Sequence, residues 1–205
     1  MINLVNAPRG RSYNQQRDRL LLKAEQRQQF VAVAQQIVAK GLALGSLGEL
    51  SLRISDKQLA ITVQNSQLGR LAETDIITCS TQLDNPAEAA APHLHWHRLL
   101  YLETPARAVL LGHPPYTITL ANAGQLPDRR LMPEMWAQVG DVTLLSPEEV
   151  AAELAAAAQR YPAILIPQVG ALLWGNSLDD VTNRAEALEY VSRLTTIDQQ
   201  TRRTG

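Results

Sequence analysis

Gly41-Leu-Ala-Leu-Gly-Ser-Leu-Gly-Glu-Leu-Ser-Leu-Arg-Ile54 changes its period halfway along. Its first eight residues, punctuated by Gly41, Gly45 and Gly48, predict a turn. From Glu49 to Ile54 polar and apolar side chains alternate with a period of two, which predicts a half-buried strand. Ser55-Asp-Lys57 closes a hairpin on Leu59-Ala-Ile-Thr-Val63, and Ile76 to Ser80 predicts a third strand after a polar loop. Short strands in succession give this opening an antiparallel character.

Upstream, Leu22, Phe30, Val33, Ala34, Ile37 and Val38 keep mostly helical spacing between Arg19 and Lys40, and Gly41 stands where a C-terminal cap belongs. A long amphipathic helix is predicted there. Residues 1–18 mix Pro8, Gly10, Asn14 and arginines without a period and read as an arm, leaving residues 19–205 as a single α/β domain. Downstream, Ala106 to Leu111 predicts a short strand and Tyr116 to Ala123 a helix, while Asp128 to Val139 reads as irregular. Ser146-Pro147-Glu148-Glu149 combines an N-cap, a proline at the first helical position and a capping-box glutamate, so a helix is predicted to about Arg160. Ala163 to Ile166 and Ala171 to Trp174 predict two strands, and Ser177-Leu-Asp-Asp180 caps a last helix.

Composition narrows the function. Nineteen basic against twenty acidic residues leave a net charge of -1, which provides no field for gathering nucleic acid or an anionic membrane. No apolar run approaches the ~20 residues of a membrane span, and the polar, arginine-bearing N-terminus is unlike a signal peptide, so a cytoplasmic location is expected. Cys79 is the single cysteine, which excludes an internal disulfide.

All four histidines fall between His93 and His113. His93, His95 and His97 alternate as in a strand, but Arg98-Leu-Leu-Tyr-Leu102 continues as a helix, and a helix with Pro92 in its first turn is the reading adopted. On it His93 and His97 share a face at i, i+4, a spacing able to clamp a metal ion. His113, at the end of the strand from Ala106, could complete a three-histidine site for Zn2+ or another divalent metal, with His95 pointing elsewhere. The competing reading makes His97 a hydrogen-bonded structural residue. Glu88 and Tyr116 are candidate acid/base groups. Gly45, Gly48 and Glu49 form a candidate ligand-binding turn, against the simpler reading of a turn alone. Trp96, Trp136 and Trp174 read as core or interface anchors.

The order of segments resembles the class II aldolase/adducin N-terminal-domain family. The resemblance is carried by Gly41 to Arg53, Leu71-Ala-Glu-Thr-Asp-Ile76, Ala108-Val-Leu-Leu-Gly-His-Pro-Pro-Tyr116, and Gly170-Ala-Leu-Leu-Trp-Gly-Asn-Ser-Leu-Asp-Asp180 running into Arg184-Ala-Glu186. It implies a mainly antiparallel central sheet flanked by helices and a homo-oligomer, commonly a tetramer. It also implies a divalent metal, usually zinc, on three histidines, but their places fall on Leu111, His113 and Val169. The family's acid/base glutamate aligns with His93, or with Glu88 if the loop carries a short insertion. Glu49 replaces the asparagine of a Gly-Asn-x-Ser phosphate motif, and Asn85-Pro86-Ala87 lacks the paired serines. Two functions are therefore expected in competition. One is a diverged binding or scaffold protein without standard aldolase activity, able to take a small carbonyl or sugar-derived ligand. The other is a metal-dependent carbon-carbon lyase with a rearranged histidine site.

Overall fold

The computed structural model describes residues 22–84 and 87–204; the arm expected over residues 1–18 lies outside the described residues. The elements, in chain order, are α1 (Ala24–Ala39), β1 (Glu49–Ser55), β2 (Gln58–Thr62), β3 (Ile76–Ser80), α2 (Leu94–Glu103), β4 (Ala108–Gly112) and α3 (Pro115–Asn122). They continue with α4 (Pro133–Val139), β5 (Val142–Leu144), α5 (Pro147–Ala158), β6 (Ala163–Ile166), β7 (Gly170–Gly175) and α6 (Leu178–Thr204). Two single-turn 3-10 segments, Leu68–Arg70 and Glu73–Asp75, lie between β2 and β3.

The strands form one sheet in the order β3-β2-β1-β4-β7-β6-β5. Every neighbouring pair is antiparallel except β5 with β6. The fold is thus the α/β arrangement with a mainly antiparallel sheet that the resemblance implied. Strand alternation splits the core into two layers. Leu50, Ala108, Leu110, Ala171 and Leu173 face α1 and α6, where they meet Phe30, Ile37, Val181 and Leu188. Val109, Leu111, Leu172 and Trp174 face α2 and α5, where they meet Leu100, Val150 and Leu154. Burying a leucine or phenylalanine this completely stabilises the fold by about 1.5–3 kcal/mol each. Among the described residues no helix is long and apolar enough to cross a membrane.

Helix α1 starts at Ala24 with Lys23 as N-cap; the expected start at Arg19 lies outside the described residues. Its end is as expected. Gly41 adopts φ +71, its N–H donates to Val38 and the Leu42 N–H donates to Ile37, which closes the last turn in a Schellman motif. The same turn reaches the neighbouring strand, because the His113 N–H donates to the Leu42 carbonyl at 2.7 Å.

Some expectations need correction. β1 is not half-buried along its whole length: Glu49 and Ser51, read as a solvated face, are 3% and 0% exposed. Helix α2 lies over them, and their polar groups are met by its histidines and tyrosine instead of by water. Pro92 precedes α2 instead of opening it, with His93 as N-cap and Leu94 as the first helical residue. Asp128 to Val139 is not wholly irregular. Pro133 and Glu134 occupy the first turn of α4, positions that suit both, and Gly140 at φ +79 ends it.

Candidate functional site

The polar groups collect where the start of β1, the start of α2 and the end of β4 meet. Glu49 opens β1 directly opposite Leu111 of β4. The entry to α2 is held against the sheet by the bridge between Val63 and Ala90, with the Ala91 N–H donating to the Thr62 carbonyl at 3.0 Å. This pinning brings His93 onto Glu49.

Glu49 is the centre of a buried network. His93 Nδ1 lies 2.6 Å from its Oε1, and the His93 backbone N–H donates to both carboxylate oxygens at 3.3 and 3.2 Å. A carboxylate from β1 therefore caps the N-terminus of α2, where the helix dipole favours negative charge. His97 Nε2 approaches Oε2 at 3.4 Å, close enough for charge attraction but off the line of a hydrogen bond. Burial by itself would raise the Glu49 pKa, yet the contacts from His93 and His97 outweigh it and bring it from about 4.5 down to about 2.

The network continues inward through neutral groups. Ser51 Oγ lies 2.7 Å from both His97 Nδ1 and the Tyr101 hydroxyl. Burial pushes the Tyr101 phenol well above its usual range, so it stays protonated beside Ser51. The other ring nitrogen of His97, Nε2, faces the Glu49 carboxylate. Tyr101, Ser51, His97 and Glu49 thus lie in one line of polar contacts. His93 and His97, paired in the sequence by their i, i+4 spacing, both approach the Glu49 carboxylate. Ser51 and Tyr101 were not singled out from sequence. The signal that could have found them is the alternation itself, which puts Ser51 on the same face as Glu49.

His113 follows the last residue of β4. A Cβ built on Gly170 would lie 3.0 Å from Leu111 Cδ1 and 3.4 Å from His113 Nε2. The Val169 backbone contacts the His113 ring, opposing the downward pKa shift that burial imposes, and His113 Nδ1 is buried without a hydrogen-bond partner. Leu111, His113 and Val169, the places the resemblance assigns to metal ligands, thus come together at the adjoining ends of β4 and β7. Leucine and valine side chains have no lone pair to donate. Among the described residues no three His, Cys, Asp or Glu side chains are grouped so as to hold one metal ion.

The other candidates lie apart from this cluster. Glu88 is exposed in the turn before α2 and lines a shallow groove with His95 and Arg98; no described contact joins it to Glu49, His93 or His113. Tyr116 begins α3, where its N–H donates to Glu189 at 2.9 Å and its ring lies under Arg193. Gly45 is exposed at φ +60, and Gly48 is packed so closely that a Cβ would meet Leu68 and Ala43 at 2.7 and 2.8 Å. Of that turn, only Glu49 enters the polar network.

A sequence profile described as Class II Aldolase and Adducin N-terminal domain matches residues 28–196. The methylthioribulose-1-phosphate dehydratase of Microcystis aeruginosa is 24% identical over 194 residues, covering 83% of this chain and 94% of that protein. A 3-oxo-tetronate 4-phosphate decarboxylase of Escherichia coli O6:H1 is 28% identical over 189 residues, covering 84% and 87%. Among solved structures, L-fuculose-1-phosphate aldolase from Thermus thermophilus superposes with a TM-score of 0.80 at 24% identity, covering 89% of this chain and 98% of that one. YgbL from Klebsiella pneumoniae gives a TM-score of 0.74 at 30% identity, covering 83% and 88%.

Proposed function

The chain belongs to the class II aldolase and adducin N-terminal domain family, and from that premise we propose that it is a diverged member that has left metal-dependent aldol cleavage and binds a small carbonyl or sugar-derived ligand. The observation that carries this reading is the meeting of Leu111, His113 and Val169 beside Gly170. One imidazole and two hydrocarbon side chains do not fit a catalytic zinc, which takes three protein ligands and an open position. The nearest carboxylate, Glu49, is already engaged by His93 and His97. Its charge also opposes a phosphate dianion, which sets the site apart from relatives named for phosphorylated substrates. Self-association into a homo-oligomer is part of the same proposal.

Metal analysis of protein purified without chelator or nickel affinity tests it. Zinc well below one ion per chain is expected, with no detectable cleavage of fuculose or ribulose phosphate. Leu111→His with Val169→His should restore zinc binding before it restores turnover. Stoichiometric zinc in the wild-type chain, released by His113→Ala, would overturn the proposal.

A further inference from the structure

The two outer edges of the sheet are finished differently. At one end β5 is only three residues long. At the other, β3 is a regular five-residue strand, Ile76-Ile-Thr-Cys-Ser80, with no charge, proline or bulge of the kind that guards a free edge. Its pairing with β2 fixes which backbone groups point outward. The Val63 N–H donates to the Asp75 carbonyl and the Thr81 N–H to the Lys57 carbonyl. In that antiparallel register Ile77 and Cys79 turn their backbone groups to β2, and Ile76, Thr78 and Ser80 turn theirs away. Of the outward groups, the Ile76 N–H donates to the Glu73 carbonyl and the Ser80 carbonyl accepts from Arg98 Nε at 2.8 Å. The Ile76 carbonyl, both backbone groups of Thr78 and the Ser80 N–H have no hydrogen-bond partner among the described residues. This is the pairing face for one antiparallel strand of five residues centred on Thr78, closed at its ends by Glu73 and Arg98.

We propose that Ile2-Asn-Leu-Val-Asn6 of the same chain is that strand, with Leu4 opposite Thr78. The direction follows from where the described chain begins. Leu22 is buried, and near the start of α1 Arg27 Nη1 donates to the Glu73 carbonyl at 3.0 Å, so the chain enters the fold beside the Ile76 end of β3. A strand over residues 2–6 running antiparallel to β3 finishes at that same end. Residues 7–21 make the return, with a reach of up to about 50 Å. Ile2 and Val5 are the only β-branched residues among the first 21, and Pro8 and Gly10 end the run. In this register Ile2 and Leu4 lie beside Ser80 and Thr78 on the α1 face of the sheet, where Leu52 and Ile54 are only partly buried. Val5 lies beside Ile77 on the α2 face. Charge agrees as well, since Arg9 and Arg11 follow the strand at the end where Glu73 and Asp75 stand.

The pairing is independent of the metal positions, and the single cysteine supplies its test. Asn3 falls opposite Cys79 in a non-hydrogen-bonded pair, where Cα atoms are about 4.5 Å apart and a disulfide can close. Asn3→Cys in the full chain, oxidised at low protein concentration, should form an intrachain disulfide with Cys79, identified by mass mapping, on the order of 10-fold faster than Gln15→Cys does. In the wild type the Thr78 and Ser80 amides should be protected from hydrogen exchange. Leu4→Pro removes the central donor of the added strand and should quicken that exchange about 10- to 100-fold. None of these substitutions touches the described core. Equal oxidation rates in the two cysteine variants, or wild-type exchange at Thr78 and Ser80 as fast as in Leu4→Pro, overturns the pairing. A disulfide between two copies, seen as a doubled mass without reductant, overturns the same-chain assignment.

Discussion

Glu49 binds its proton less readily in the folded chain than it would in the unfolded one, with a pKa lowered from about 4.5 to about 2. A depressed carboxylate contributes stability above its unfolded value and loses it as pH falls toward the folded one. A displacement of this size corresponds to on the order of 3 kcal/mol. Thermal unfolding of the wild type should therefore weaken between about pH 4.5 and 2, and Glu49→Gln should flatten that limb while lowering the melting temperature near neutrality. Equal slopes in the two proteins would show that the carboxylate is not held by the histidines. The i, i+4 spacing of His93 and His97 was legible in the sequence because helical geometry is local. Their partner was not. Glu49 lies 44 residues from His93, and polar residues alternating in a strand look solvated until a helix is known to cover them.

Helices announced by their caps were read directly. Ser146 Oγ accepts from the Glu149 N–H at 3.3 Å, and the Glu149 carboxylate accepts from the Ser146 N–H at 2.7 Å. Ser146→Ala should cost about 1 kcal/mol and lower the melting temperature by about 2–4 °C, measured by calorimetry; an unchanged transition would mean that α5 is held by Leu154 and Val150 alone. Close approach of strands is another matter of element geometry. The backbone of β7 passes so near β4 that a Cβ on Gly170 would lie 2.7 Å from the Gly112 carbonyl oxygen. Gly170→Ala should destabilise by about 1–3 kcal/mol and disturb the ring of His113, visible as a shift of its imidazole resonances in NMR. The short elements α4 and β5 escaped the sequence reading for a physical reason. Seven and three residues are too few to display a period, and β5 is defined by its parallel pairing to β6, a contact between segments.

At the scale of the whole molecule, two apolar layers enclose one sheet, and the surface outside them carries apolar side chains that neither layer uses. The most exposed of these, Leu44 at 74% and Leu47 at 62%, project from the same glycine turn that leads into Glu49. Trp174 is buried in the layer under α2 and α5, so its packing within the chain is already satisfied. Trp136 is half-buried, with a buried indole N–H that finds no hydrogen-bond partner, and lines a surface groove with Arg129 and Arg130. Exposed leucines on a turn bounded by glycines contribute little to the fold of a single chain but would gain from burial against a second copy. Light scattering across micromolar concentrations should therefore give a mass above one chain, with a tetramer the expected form. Leu44→Asp with Leu47→Asp should shift that mass toward the monomer while leaving the melting transition of the isolated chain nearly unchanged, because neither side chain belongs to a core layer. A monomer mass for the wild type at every concentration would remove the assembly claim. An oligomer unaffected by the double substitution would move the interface away from the turn beside the site.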